Sequence, residues 1–267
     1  MVAGITNPTL SVDRNAGTFT VSWDYDLRAP GAQIFYSHYY QDLDNNSDID
    51  PNSTHSVRAS GSDELTYNLD FFSGVHKTEL HFEYSDDNDR SNFSSRTYQV
   101  FDSSQDFYGR SINGSSDKDI IITGNYNDTI RAKNSNDMVD AGFGRDTIEG
   151  GLAKDQLFGG EGADTFVYKT IKDSTVASSG RDTIMDFSHR QGDVVDLHSI
   201  DANTKLGGNQ SFVLIGSHDF THHAGELRAV KSGGDTHISG DVNGDGKADF
   251  AIVLDPALTL QRGDFVL

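Results

Sequence analysis

Apolar and polar residues alternate over the first hundred positions, and the alternation gives way to a different pattern at Gly114. Phe19, Val21, Trp23 and Tyr25 alternate with Thr18, Thr20, Ser22 and Asp24, the period of a half-buried strand. Leu65, Tyr67, Leu69 and Phe71 make a second such face, and Leu80, Phe82 and Tyr84 a third. Ile34, Tyr36 and His38 oppose Gln33, Phe35 and Ser37 less cleanly. Short strands separated by Asn, Asp, Gly and Ser turns predict an immunoglobulin-like or fibronectin-like β-sandwich over residues 1–103, and an all-β chain.

From Gly114 to Val167 the chain divides into six consecutive nonapeptides without insertion: GSSDKDIII, TGNYNDTIR, AKNSNDMVD, AGFGRDTIE, GGLAKDQLF and GGEGADTFV. Position six is always Asp (Asp119, Asp128, Asp137, Asp146, Asp155, Asp164), and position eight is always apolar (Ile121, Ile130, Val139, Ile148, Leu157, Phe166). The first six residues of each unit make a turn whose glycines permit positive φ, and the last three make a short strand. Two units complete one coil of a parallel β-roll. The apolar residue points inward, and the Asp projects between successive coils on one side, beside converging carbonyl oxygens. Such a row of carboxylates repels itself unless cations fill the gaps, and hard oxygens select Ca²⁺, here several ions. The glycines that shape these turns are Gly142, Gly144, Gly150, Gly151, Gly159, Gly160 and Gly162. Lys133 occupies a glycine position, Tyr126 and Ser135 replace the glycine at position four, and Thr123 and Ala132 replace the first glycine, which weakens the expectation for the N-terminal ion sites.

Charge and composition narrow the function. The chain has 267 residues with 41 acidic against 21 basic, a formal net charge of −20 that repels phosphate backbones and argues against a nucleic-acid partner. It has no cysteine, which excludes disulfides and cysteine-ligated zinc. No apolar run is long enough to span a membrane, and MVAGITNPTL has neither the basic segment nor the apolar run of a cleaved N-terminal signal.

The nonapeptides resemble the RTX (repeats-in-toxin) family, whose unit is G-G-x-G-x-D-x-U-x. The resemblance extends to the C-terminal domain of serralysin-type secreted metalloproteases through RDTIMDFSHRQGDVVDL (181–197), HAGELR (223–228), DVNGDGKADFAIVL (241–254) and the terminal DFVL (264–267). It implies a roll over 104–180, a β-rich cap over 181–267, and an uncleaved C-terminal signal read by a type I ABC exporter, with folding outside the cell. By the same resemblance Asp173 and Asp182 close the last ion site. The terminal Asp264, Phe265, Val266 and Leu267 are an acid followed by apolar residues with no structural partner visible in the sequence. The zinc helix of the proteases, H-E-x-x-H, is absent.

Other constellations are weaker. Asp241, Asn243, Asp245 and Asp249, with Gly246, have the spacing of an oxygen loop around calcium, but Ile252 stands where an EF-hand has its bidentate Glu; a polar hairpin turn is the competing reading. Asp42, Asp44, Asn46, Asp48 and Asp50 alternate in what is either an ion loop or a solvated acidic one. His76 and His81 in HKTELH fall on opposite faces of a strand. His222 and His223 beside Asp219 are read as surface residues rather than zinc ligands. The aromatic run Phe35, Tyr36, His38, Tyr39 and Tyr40 belongs to a strand core or stacks on sugar rings. Three classes of function remain: a calcium-dependent binding or adhesion module for carbohydrate or another cell-surface ligand, a secreted enzyme with an unrecognised N-terminal site, and a matrix protein.

Overall fold

The computed structural model describes residues 109–267 in full and, between residues 4 and 102, the backbone of seven strands. The chain forms two compact units, Met1–Asp106 and Phe107–Leu267. In the first, β1 (Gly4–Asp13), β2 (Thr18–Asp26) and β5 (Gly61–Asn68) form an antiparallel sheet in the order β1-β2-β5. β4 (His55–Arg58), β3 (Gln33–Asp42), β6 (His76–Ser85) and β7 (Phe93–Asp102) form another, in that order. The alternating run from Phe19 to Tyr25 lies on β2. Side-chain packing between the two sheets, and with it the expected sandwich, lies outside the described residues, as do Asp44–Asp50 of the acidic run.

The second unit begins as a roll. One wall is β8 (Ser111–Asn113), β10 (Thr129–Asn134), β13 (Thr147–Leu152) and β16 (Thr165–Val167). The other is β9 (Lys118–Ile122), β11 (Met138–Asp140) and β14 (Gln156–Phe158). Each strand pairs in parallel with the one 18 residues on, so Ile130 lies beside Ile148 and Val139 beside Leu157. Two nonapeptides thus make one coil, as their period predicts. The turns stack too, through the short pair β12 (Phe143–Gly144) and β15 (Glu161–Gly162). All six position-eight residues are buried, each contributing about 1.5–3 kcal/mol of hydrophobic stabilisation.

The turns separate two roles that the consensus merges. Position two (Lys133, Gly142, Gly151, Gly160) and position four (Ser135, Gly144, Ala153, Gly162) have positive φ in the last four repeats, whereas no position-one residue does. A Cβ on Gly160 would fall onto the carbonyl oxygen of Gly142, one coil below. Position one is instead short of room, since a Cβ on Gly159 would lie 2.6 Å from Oδ2 of Asp164 in its own repeat. A side chain there displaces the neighbouring carboxylate but strains no backbone, and Thr123 and Ala132 occupy the position in other repeats. The replacement of the first glycine by Thr123 and Ala132 does not carry the backbone penalty expected of it, whereas Lys133 and Ser135 do hold strained positive φ values of 87° and 73°.

The coil continues beyond the repeats. β17 (Thr183–Ile184) and β18 (Val194–Asp196) extend the two walls, with Ile184 beside Leu157 and Val195 beside Phe166. The cap follows: β19 (Val213–Leu214), β20 (Glu226–Ser232), β21 (Asp235–Asp241) and β22 (Phe250–Leu254). β20, β21 and β22 are antiparallel, and β22 joins β17 in parallel. Leu227, Ile238 and Ile252 are fully buried in the cap, and Phe212 meets Phe250 edge-on at 5.6 Å. The chain end, for which the sequence offers no partner, has one: β23 (Phe265–Val266) pairs with β18, and Phe265 is buried. Among the described residues helix is limited to two three-residue 3₁₀ turns, Ser178–Gly180 and Arg262–Asp264, and no helix is long and apolar enough to cross a membrane.

Candidate metal centre

The six repeat aspartates form two ladders rather than one row on one side, because successive nonapeptides lie on opposite walls of the coil. On one side Oδ1 of Asp137 accepts the Asp119 N–H at 2.9 Å, Oδ1 of Asp155 that of Asp137 at 2.9 Å, and Oδ1 of Asp182 that of Asp155 at 2.9 Å. On the other, Oδ1 of Asp128 accepts from Arg110 at 2.5 Å, Asp146 from Asp128 at 2.7 Å, Asp164 from Asp146 at 2.8 Å, and Asp193 from Asp164 at 3.0 Å. All eight aspartates are buried. One oxygen of each linking carboxylate is committed to the coil below.

The other oxygen tests whether a cation fits. Oδ2 of Asp137, Asp155, Asp164 and Asp182 is enclosed and has no hydrogen-bond partner. An enclosed carboxylate without a counter-charge is strongly unfavourable, and it responds by holding its proton. Burial, then the charge of Asp155, pushes Asp137 up to about 10, and burial pushes Asp155 and Asp164 up to about 7. Asp182 is raised by burial first and by Asp155 next. A divalent cation accepting these lone pairs removes both costs, and hard oxygen donors suit Ca²⁺. Among the described residues no three His, Asp or Glu side chains converge on one point, so further ligands would come from turn carbonyls rather than additional acids.

The ladder ends are finished differently. Asp119 has its carboxylate held by its own turn, by Ser115 N–H at 2.6 Å and Ser115 Oγ at 2.8 Å. At the far end Asp186 accepts the N–H groups of Gly159 and Gly160 at 2.9 and 2.8 Å, and Gln191 accepts that of Gly162 at 3.3 Å. These side chains stand in for the backbone of a further turn. Asp193, Asp186 and Gln191 escape the repeat reading because insertions interrupt the nine-residue period. The signal that could have found Asp193 is Asp193-Val194-Val195, which keeps the Asp-x-apolar core of the repeat, as Asp182-Thr183-Ile184 does. Asp173 is brought near Asp155 and Asp182, but its carboxylate takes the N–H groups of Lys169 and Thr170 at 2.7 and 3.0 Å and the Thr170 hydroxyl at 2.7 Å.

The second acidic loop closes on itself. Asp241 Oδ1 accepts from Asn243 and Gly244 N–H at 3.2 and 2.6 Å, and its Oδ2 accepts from Gly246 at 2.8 Å. Asp249 Oδ1 accepts from the Asn243 amide at 2.7 Å, and Asn243 Oδ1 and Asp245 Oδ1 each accept one loop N–H at 2.9 Å. Asp219 pairs with Arg228 at 3.0 Å and His223 meets Thr221 Oγ1 at 2.8 Å.

The comparisons with known proteins bear on this geometry. No curated protein matches the chain. Among solved structures, the R3 and R2 subunits of a mannuronan C5-epimerase from Azotobacter vinelandii are similar at 22% identity over 60% of this chain, covering 78% and 86% of their own chains with TM-scores of 0.29 and 0.31. The family described as Peptidase M10 serralysin C terminal matches residues 53–267, most of the chain. With its β-roll and buried aspartate ladders, the protein belongs to the serralysin C-terminal family, a family of secreted, calcium-binding modules.

Proposed function

We propose that residues 104–267 are a calcium-dependent folding and export module, a roll over 104–180 followed by a cap with an export signal over 181–267, carrying a binding or adhesion module over 1–103. The observation that carries this reading is the set of enclosed, partnerless carboxylate oxygens on Asp137, Asp155, Asp164 and Asp182. They make the roll's stability conditional on a cation. Such a chain stays unfolded where calcium is scarce, passes through a type I ABC exporter, and folds outside, where modules of this kind bind at about 10⁻⁴–10⁻³ M. Asp241, Asn243, Asp245 and Asp249 stay a secondary calcium candidate, their carboxylates being already bound by loop amides. The glycine turns at Gly142, Gly144, Gly150, Gly151, Gly159, Gly160 and Gly162 bring the coils together and so set the ion spacing.

In this reading the N-terminal module, seven strands in about 100 residues, recognises a carbohydrate or another cell-surface ligand. Two measurements on the full chain test the proposal. Far-UV dichroism in EDTA should show loss of β structure that calcium restores; a roll that stays folded in excess chelator at neutral pH overturns the folding role. A glycan array probed with the calcium-loaded chain should show selective binding. Turnover of polysaccharide or peptide would replace the adhesion reading with an enzymatic one.

A further inference from the structure

Tyr168 is a buried polar residue that the ladders leave unused. It follows β16, donates its N–H to Asp196 O at 2.9 Å, and is 2% exposed. A buried phenol ordinarily has a hydrogen-bond partner. Neither Oη of Tyr168 nor Oδ2 of Asp182 has a hydrogen-bond partner, and the two residues are neighbours, with Asp155 and Asp173 also acting on the phenol. The surrounding groups are committed. Asp182 Oδ1 takes the Asp155 N–H, and Asp155 Oδ1 that of Asp137. Asp173 is held by Lys169 and Thr170. Ser174 Oγ donates to Ala251 O at 2.5 Å and accepts the Asp182 N–H at 2.9 Å. Three enclosed oxygens remain, Asp155 Oδ2, Asp182 Oδ2 and Tyr168 Oη, and the phenol brings a donor hydrogen with them.

The other ladder ends show what is missing. Oδ2 of Asp119 accepts an N–H from Ser115 at 2.6 Å, and Oδ2 of Asp193 accepts one from Ser188 at 2.8 Å. These two terminal carboxylates are each fixed by a donor on Oδ2. Asp182, which ends its ladder, has no such amide. Its neighbour with a donor to spare is Tyr168.

We propose that Tyr168 is a positioning residue for the last cation site of the Asp119–Asp137–Asp155–Asp182 ladder, its hydroxyl donating to Asp182 so that this carboxylate and Asp155 hold one oxygen-seeking divalent cation between them. The inference rests on the calcium reading above. It makes the phenol a device that replaces a backbone amide where the repeat has ended and the insertion Lys169–Arg181 leaves none in place. An isosteric Tyr168→Phe substitution removes the donor and little volume.

The test is calcium titration calorimetry of the full chain for wild type, Tyr168→Phe, Asp182→Asn and the double variant, with near-UV tyrosine absorption followed in parallel. In Tyr168→Phe one ion should bind about tenfold more weakly, the other ions and the calcium-saturated far-UV spectrum should be unchanged, and part of the calcium-dependent tyrosine difference spectrum should vanish. The double variant should be no worse than Asp182→Asn alone, because the phenol acts through that carboxylate. Wild-type affinity at every ion in Tyr168→Phe overturns the proposal. So does a lowered melting temperature with unchanged ion affinities, which would make the tyrosine a packing residue, and so does additivity in the cycle. A wild-type chain that takes up no calcium removes the site itself, and the wild-type titration identifies that outcome separately.

Discussion

A carboxylate's place on its ladder decides how much it contributes. Asp155 sits mid-ladder with Oδ1 accepting from Asp137 and Oδ2 enclosed and partnerless, whereas Asp119 has both oxygens engaged by Ser115. Asp155→Asn keeps an acceptor for the ladder bond and deletes a ligand charge, so it should raise the calcium concentration at the folding midpoint by about tenfold or more. Asp119→Asn should raise it far less, and equal midpoints from calcium-titrated dichroism of the two variants would contradict the difference in site quality. The same burial sets the pH dependence of the calcium-free chain. An unfolded Asp titrates near 3.8, while in the folded roll Asp155 and Asp164 are pushed up to about 7 and Asp137 to about 10, burial being the first cause in each. From about pH 4 to about pH 7 the folded chain binds more protons than the unfolded one, so its stability is greatest at the acid end and is lost as pH rises. In EDTA, β structure should therefore increase when the pH is lowered from neutral to about 5. With calcium present acidification should raise the folding midpoint, because protons and cations compete for the same oxygens. A calcium-free roll that unfolds on acidification over that window would refute the carboxylate account.

At the scale of the repeat, much of the architecture was legible because two physical demands recur at fixed positions. An interior apolar residue and a linking Asp every nine residues predicted the parallel coil, and the register of Ile130 with Ile148 carries it out. The roles of the glycines were legible only in part, since the consensus writes the same letter for two constraints. Position two requires positive φ and close approach to a carbonyl, while a side chain at position one meets its own Asp without straining the backbone. The distinction predicts opposite outcomes at adjacent residues. Lys133→Gly relieves a non-glycine φ of 87° and should stabilise the calcium-loaded roll, by about 0.5–1 kcal/mol after the entropy of the new glycine is subtracted. Ala132→Gly, at a position without positive φ, should destabilise it by about 0.5–1 kcal/mol. Thermal melts of the two variants at saturating calcium check this, and shifts of the same sign would show that the turn geometry differs from the one described. What could not be read was the ladder's far end. Asp193, Asp186 and Gln191 act through insertions of variable length, for which no period exists.

Over the molecule as a whole, the chain end couples the two parts of the proposed function. The terminal residues are a strand of the roll as well as the proposed export signal: Phe265 is buried beside Val195, and Asp264 pairs with His189 at 2.6 Å while accepting the Gln261 N–H at 2.5 Å. Sequence patterning shows an acid before apolar residues but not the partner strand, because a two-residue parallel pairing has no local signature. Deleting residues 264–267 therefore removes a buried side chain and the His189–Asp264 hydrogen bond, and should lower the calcium-loaded melting temperature whether or not an exporter reads those residues. Truncation alone cannot then separate a signal from a fold. The separation comes from loosening the same strand without altering its sequence. His189→Ala removes the partner of Asp264, and Val195→Ala trims the strand that Phe265 pairs with; both should lower the melting temperature while leaving the terminal residues intact. If these residues are read by a type I exporter from the unfolded chain, both variants should leave a reconstituted exporter at wild-type yield while the deletion stays inside. If they serve only to complete the roll, secretion should follow stability. The three variants should then fall in order of their melting temperatures, and that ordering would sink the signal assignment. Measuring secreted yield against melting temperature for the set places each variant on one relation or the other, with calcium-induced folding of the purified chains as the control that all retain the roll.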